Sequence, residues 1–251
     1  MVHSLQLAFS VAHTGSTFRG NYDKMDEVYR SLASKAISIL KDKNSRVEEQ
    51  GKQVFIGIAG GPGSGKTTTA AKVCELINAQ NVKALVLPMD GYHYYRKQLD
   101  EMENPEEAHR FRGAPFTFDA KRFVSDIQSA KKLRSGSFPD FDHKVGDPCE
   151  NQIILDASVQ ILLIEGNYVL LNEEPWCELP KSVFDTSWFI SCPEEEAQKR
   201  VVLRHMKAWD FTEEQALNRW LDNDLKNYRF INENSAGFDV TVESLSDTKV
   251  K

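Results

Sequence analysis

The stretch Gly60-Gly61-Pro62-Gly63-Ser64-Gly65-Lys66-Thr67 constrains this chain more than any other. It fits the spacing G-x-x-x-x-G-K-[ST] in full, and both flanks suit it. Val54-Phe55-Ile56-Gly57-Ile58-Ala59 before it is apolar and β-rich, the composition of a buried strand. Thr68, Thr69, Ala70, Ala71, Val73 and Leu76 after it are helix-compatible. Strand, glycine loop and helix in that order can build a phosphate cradle. Glycines let successive backbone N–H groups turn inward, and the helix N-terminus behind them adds roughly half a positive charge. Gly60, Gly61, Pro62, Gly63, Ser64, Gly65, Lys66, Thr67 and Thr68 are therefore the expected nucleotide-binding residues. Lys66 would reach the β- and γ-phosphates, and the Thr67 hydroxyl would hold Mg²⁺.

Further apolar runs at 84–89, 161–164, 186–190 and 238–242 are separated mostly by helix-compatible stretches. With 53–59 they predict a doubly wound, mainly parallel five-stranded α/β sheet with helices on both faces. Ligands bind such a sheet outside the carboxyl ends of its strands. Val28, Leu32, Ala36, Ile39 and Leu40 predict an amphipathic helix over 26–42, ahead of the first strand. Residues 91–153 interrupt the alternation with aromatic, charged, Gly and Pro residues and one helical segment over about 119–133. They are expected to form an insertion that closes over the site. Helices are expected over about 194–209 and 212–228. Residues 25–251 then make a single domain, preceded by a poorly ordered extension over 1–24.

A chain of 251 residues, 41% hydrophobic and 27% charged, can bury a full core. Its formal charge of −6, with no long Lys/Arg-rich cluster, argues against nucleic acid as the main partner. No apolar run approaches the ~18 residues of a membrane span, so no membrane partner is expected. Cys74, Cys149, Cys177 and Cys192 form no C-x-x-C pair, which suits a reduced compartment and a cytoplasmic location. The first 20 residues carry Arg19, several Ser/Thr and no acid, so mitochondrial targeting is the alternative. Homo-oligomerisation is left open.

Acidic residues stand where strands end. Asp90 follows the second strand and Glu165 the third. An acid there can order Mg²⁺ or take a proton from an attacking hydroxyl, although each alone could instead be a cap or turn residue. Arg200 and Arg204, at i and i+4, share a helix face, where Glu196 could instead pair with Arg200.

Several segments stand in a telling order. The glycine loop is followed by Met89-Asp90-Gly91-Tyr92-His93, then by Arg112-Gly113-Ala114-Pro115-Phe116-Thr117-Phe118-Asp119. Phe138-Pro139-Asp140-Phe141-Asp142-His143, Ile164-Glu165-Gly166 and Arg200-Val201-Val202-Leu203-Arg204 come after. In this order, over about residues 53–243, the chain resembles the uridine kinase, phosphoribulokinase and pantothenate kinase family of P-loop kinases. Uridine kinase is the nearest in motif order.

The resemblance implies a P-loop NTPase sheet with an acceptor-side insertion (about 91–153) and an arginine-bearing lid helix (about 194–209). It implies ATP and Mg²⁺ as cofactors and a small-molecule acceptor, a nucleoside of the uridine or cytidine type. Lys66, Asp90, Arg200 and Arg204 would be catalytic, with Asp90 the base; Thr67 and Glu165 would hold the metal. Tyr92, His93, Arg112, Asp142 and His143 would contact the acceptor, while Phe116 and Phe118 would pack the insertion onto the sheet. Gly91-Tyr92-His93 and Arg112-Gly113-Ala114-Pro115 depart from the uridine kinase wording where the acceptor is faced, so a sugar, glycerate or pantothenate-like acceptor is the alternative. A GTPase switch lacks its Asn-Lys-x-Asp and D-x-x-G segments here. A catalytically idle ATP-binding regulatory module is the reading from another class, and intact Lys66, Thr67, Asp90, Glu165 and Arg204 oppose it.

Overall fold

The computed structural model describes residues 16–19, 22–49 and 51–244. β1 (Ser16–Arg19) precedes α1 (Tyr22–Asn44). β2 (Val54–Ala59) runs through the glycine loop into α2 (Lys66–Asn78), which returns the chain to β3 (Ala84–Pro88). The insertion carries α3 (Arg96–Asp100), α4 (Pro105–Arg110), α5 (Ala120–Leu133) and a hairpin of β4 (Gly136–Asp142) and β5 (Asp147–Leu155). β6 (Ile161–Gly166), α6 (Glu178–Ser182) and β7 (Thr186–Ser191) follow. The last part holds α7 (Glu194–Trp209), α8 (Glu213–Arg219), a π-helical turn at Trp220–Asp224, α9 (Leu225–Asn234) and β8 (Val240–Glu243).

The sheet order is β1-β8-β7-β2-β6-β3, with every neighbouring pair parallel. All five expected strands are present. β1 adds a sixth along β8, from Ser16↔Val240 to Arg19↔Glu243. Those four residues fall in the stretch expected to be a poorly ordered extension; the unpaired edge of β8 recruits them, because an edge strand leaves its N–H and C=O groups open to pairing. The transit-like composition of residues 1–15 lies outside the described residues. No helix among the described residues is long and apolar enough to cross a membrane.

β2 is buried at all its positions because both faces of the sheet are covered. Its side chains alternate between two cores. Phe55 and Ala59 join Leu87, Leu162, Ile164 and Phe189 beneath Phe123, Val124 and Ile127 of α5. Val54, Ile56 and Ile58 meet Leu32 and Ala36 of α1 and Ala70, Val73 and Ile77 of α2. Each such large side chain contributes about 1.5–3 kcal/mol by leaving water. At the amino edge Asp185 ties these layers together. Its carboxylate accepts from Lys43 Nζ (2.7 Å), Lys131 Nζ (3.1 Å) and the Phe55 N–H (2.8 Å), linking α1, α5 and β2.

Later parts of the chain differ from expectation as well. The hairpin β4–β5 was not anticipated, because Pro139 and Pro148 and many polar residues mask the strand pattern; its register shifts between Phe138 and Asp140, around Pro139. The helix expected over 212–228 is instead α8 and α9 joined by the π-helical turn, and it continues to Asn234.

Candidate active site

The phosphate loop is shaped by its glycines. Gly63 (φ 77°) and Gly65 (φ 91°) occupy the left-handed region, which L side chains rarely adopt. A Cβ on Gly63 would also lie 2.5 Å from the Ala197 carbonyl oxygen, so α7 packs directly against the loop's backbone. Behind the loop, α2 starts at Lys66, and its first-turn amides have no acceptor within the helix. The Ser64 hydroxyl is buried with no hydrogen-bond partner among the described residues. Free backbone donors, an unpartnered hydroxyl and the Lys66 ammonium are a donor set that fits a phosphate chain.

Sheet register sets the neighbouring acids. β6 lies between β2 and β3, so Glu165 pairs with Ile58 on one side and Pro88 on the other. The Thr67 hydroxyl donates to Glu165 Oε1 at 2.9 Å. Glu165 is 4% exposed, and this burial pushes its carboxyl up to about 7. Lys66 and the Thr67 hydroxyl oppose that shift, while the Asp90 carboxylate reinforces it. The Thr67 hydroxyl and Glu165 carboxylate are hard oxygen donors of the kind Mg²⁺ takes. Asp90 sits two residues past β3 in a 3₁₀ turn (Met89–Tyr92), partly open to solvent. Lys66, Asp90, Glu165 and Thr67 thus converge at one edge.

His93 is placed beside Asp90. Its ring lies 3.9 Å from Phe118 and 5.0 Å from Phe141, centroid to centroid, and Nδ1 is 2.9 Å from the Asp90 carbonyl oxygen. A carbonyl can only accept, so Nδ1 carries the proton. Burial lowers the His93 pKa and favours the neutral ring, leaving Nε2 as an acceptor for a hydroxyl.

The other expected acceptor contacts are disposed differently. Tyr92 points into the core: it is 2% exposed, packs edge-on against Phe123 and donates its hydroxyl to Asp126 at 2.9 Å. It is a packing residue, because the 3₁₀ turn directs it beneath the sheet edge. The Arg112 guanidinium is spent on the protein, donating to the Tyr94 and Gly146 carbonyls and to Asp147 (2.9 Å). It clamps the insertion rather than presenting a free charge. Asp142 closes the β4–β5 turn, accepting from the Lys144 (2.8 Å) and Val145 (3.2 Å) amides, which hold its carboxyl below the usual range. His143 is exposed in that turn, with its ring 5.2 Å from Phe141. Phe118 packs into the core as expected; Phe116 is 51% exposed.

Residues that sequence reasoning passed over surround the same loop. Tyr168 donates its hydroxyl to the Gly113 carbonyl (2.6 Å), and Asn223 and Arg219 both donate to the Arg112 carbonyl (3.1 and 3.0 Å). Asn167, next after the Glu165-Gly166 pair, has a buried amide oxygen with no partner among the described residues. The only sequence signal for Asn167 and Tyr168 was their position just past a buried strand.

The two arginines of α7 are unlike each other. Arg200 Nε donates to Glu196 (2.9 Å), the pairing that the i,i+4 spacing allows, and Nη1 donates to the Gly63 carbonyl (3.2 Å) and Ser244 Oγ (2.8 Å). Arg204, one turn on, is exposed, and no hydrogen bond or ion pair within the described residues holds it. Lys207 is exposed as well.

This geometry has known counterparts. The profile of the Phosphoribulokinase / Uridine kinase family matches residues 55–251. A Schizosaccharomyces pombe protein, provisionally named uridine kinase C227.14, is 36% identical over 89% of this chain and 93% of its own length. The ATP-dependent kinase YFH7 of Kluyveromyces lactis is 29% identical over 75% of this chain and 64% of its own length. Among solved structures, a Silicibacter sp. TM1040 protein provisionally described as a fructose transport system kinase superposes with a TM-score of 0.75 at 26% identity. That match covers 85% of this chain and 98% of the Silicibacter chain.

Proposed function

Since this chain belongs to the phosphoribulokinase / uridine kinase family, we propose that it moves the γ-phosphoryl group of ATP onto a hydroxyl of a small uncharged acceptor, a nucleoside of the uridine or cytidine type. The observation that carries this reading is the convergence of Lys66, Thr67, Glu165 and Asp90 at the ends of three adjacent strands. Family membership implies ATP as the donor. Thr67 and Glu165 are the residues that would hold Mg²⁺, which neutralises phosphate charge when bound.

Asp90 takes the proton from the acceptor hydroxyl as its oxygen bonds to the γ-phosphorus; the bond to the bridging oxygen breaks and ADP leaves. Lys66 holds the charge on the β- and γ-oxygens, and Arg204, unpaired among the described residues, meets the charge that spreads over the transferred group. His93 Nε2 accepts from a second acceptor hydroxyl and helps aim the first at the phosphorus. Bound acceptor covered by the insertion keeps water from competing for the phosphoryl group.

An uncharged acceptor is supported by the state of three of the insertion's cations, although Arg96, Lys97 and Lys144 have no ion pair among the described residues. Arg110 already faces Asp222 (3.1 Å), Arg112 faces Asp147 (2.9 Å) and Arg122 faces Glu150 (2.7 Å). A carboxylate or phosphate on the acceptor would have to compete with these. A sugar is the second reading, favoured by the likeness to the Silicibacter protein.

The test is ADP formation with Mg²⁺ against uridine, cytidine, adenosine, fructose, glycerate and pantothenate, run beside Asp90→Asn. Turnover that depends on an uncharged acceptor and falls roughly 10²–10⁴-fold in the variant, with nucleotide binding intact, is the expected outcome. Slow hydrolysis that ignores every acceptor and survives the substitution would overturn the reading in favour of an idle nucleotide-binding module.

A further inference from the structure

We infer that Arg200 is a positioning residue for the phosphate loop, fixing the Gly63–Ser64 peptide from its outer side, and that it does not itself meet the transferring phosphoryl group. The inference deepens the kinase reading above and rests on it for the identity of the ligand.

The guanidinium of Arg200 is held from three directions. Nε is occupied by Glu196 at 2.9 Å, and Nη1 is shared between the Gly63 carbonyl (3.2 Å) and Ser244 Oγ (2.8 Å). Turning it toward a γ-phosphate would break all three contacts. Arg204 has no such commitments among the described residues.

The loop needs the support that Arg200 gives. Gly63 is in the left-handed region with α7 against its Cα, so its backbone is held by van der Waals contact with Ala197 but its carbonyl needs a donor. A peptide unit is planar, so holding the Gly63 carbonyl also fixes where the Ser64 N–H points. That amide closes the turn onto the Gly61 carbonyl at 3.1 Å. Arg200 therefore braces the stretch in which the free donors for phosphate are arrayed. Its other anchor, Ser244, is itself fixed, its amide donating to Ser191 at the end of β7 (2.7 Å). The brace thus runs from the last sheet strand through Arg200 to the loop.

A brace and a γ-phosphate contact make different predictions for ADP. The loop embraces the phosphates common to ADP and ATP, whereas a γ-phosphate contact exists with ATP alone. The experiment is calorimetric titration of the full chain with ADP and with the β,γ-imido analogue of ATP, for wild type, Arg200→Ala, Arg200→Lys, Ser244→Ala and Arg204→Ala. Arg200→Ala is expected to weaken both ligands by the same factor, roughly tenfold or more. Ser244→Ala, which removes one anchor, weakens both equally but less. Arg200→Lys, which can reach one acceptor but not three, falls between. Arg204→Ala leaves ADP affinity unchanged and lowers turnover.

Loss of analogue affinity with ADP affinity intact in Arg200→Ala would show a direct γ-phosphate contact and overturn the inference, and so would unchanged affinity for both. If Arg200→Ala fails to fold, the Ser244→Ala and Arg200→Lys ratios decide by the same criterion. A wild-type protein that binds both ligands yet phosphorylates no acceptor defeats the kinase reading and leaves the brace standing; one that binds neither defeats both.

Discussion

Glu165 offers a direct measurement of how much strain the site stores before any ligand arrives. Its carboxyl rises from 4.5 in the open chain to about 7 in the fold, because burial between β2 and β3 disfavours the charge. The folded state therefore binds this proton more tightly than the unfolded state does. Below about pH 4.5 both states hold it and there is no penalty. Between about 4.5 and 7 the unfolded chain releases the proton while the folded chain retains it, so stability falls as pH rises. Above about 7 both are ionised and the full loss is present. A rise of that size corresponds to about 3 kcal/mol at 1.36 kcal/mol for each pH unit. Glu165→Gln keeps the volume and an oxygen for the Thr67 hydroxyl but cannot ionise. Thermal melts of wild type and variant, without nucleotide or Mg²⁺, should converge near pH 5 and separate by pH 8. The variant should then melt roughly 6–12 °C higher. Taking the difference between the two proteins cancels titration elsewhere in the chain. Parallel melting curves across that range would refute the argument, since they would mean the Glu165 charge is solvated in the fold. Mg²⁺ should restore the wild type alone at pH 8, and its binding below pH 7 should release protons.

The remaining predictions concern the scaffold. Asp185→Ala leaves Lys43, 8% exposed, without its carboxylate, and should destabilise the fold by about 3 kcal/mol in urea denaturation at pH 7, with little effect on the KM for ATP in the surviving folded protein. Arg112→Gln loosens Tyr94, Gly146 and Asp147 together. Steady-state kinetics should show the acceptor KM rising roughly tenfold with the ATP KM unchanged, as expected for lost positioning on one side of the site; equal effects on both would place the clamp wrongly.

What could be read in advance follows from which physical rules are local. The phosphate loop, the buried strands and the acids at their ends are local features: a glycine where φ must be positive, apolar runs where both faces are covered, a carboxylate in a strand's last residues or two residues past it. Glu165 and Asp90 come together only because β6 inserts between β2 and β3, and the doubly wound pattern already implied a common edge. The acceptor side was harder for a definite reason. Whether Tyr92 faces a ligand or the core depends on the rotation of a four-residue 3₁₀ turn, and whether Arg112 is free depends on carbonyls far along the chain. Residue type is identical in either case. Arg200 shows the same ambiguity at closer range: its spacing from Arg204 put both on one helix face, but packing of Ala197 on Gly63 brings only the nearer one against the loop. β1 was missed because four residues with one aromatic carry no periodicity, and it is the neighbouring edge that makes them a strand.

The pairing of β1 with β8 has a mechanical consequence. The strands run parallel, Ser16 beside Val240 and Arg19 beside Glu243, so tension applied upstream of Ser16 and downstream of Glu243 pulls them in opposite directions along their length. The inter-strand hydrogen bonds are then loaded together in shear, where a hairpin pulled from its open end would unzip them one after another. The residue just past β8 is Ser244, the anchor of Arg200. A force on this end of the chain is therefore delivered beside the phosphate loop, at the residue that anchors Arg200.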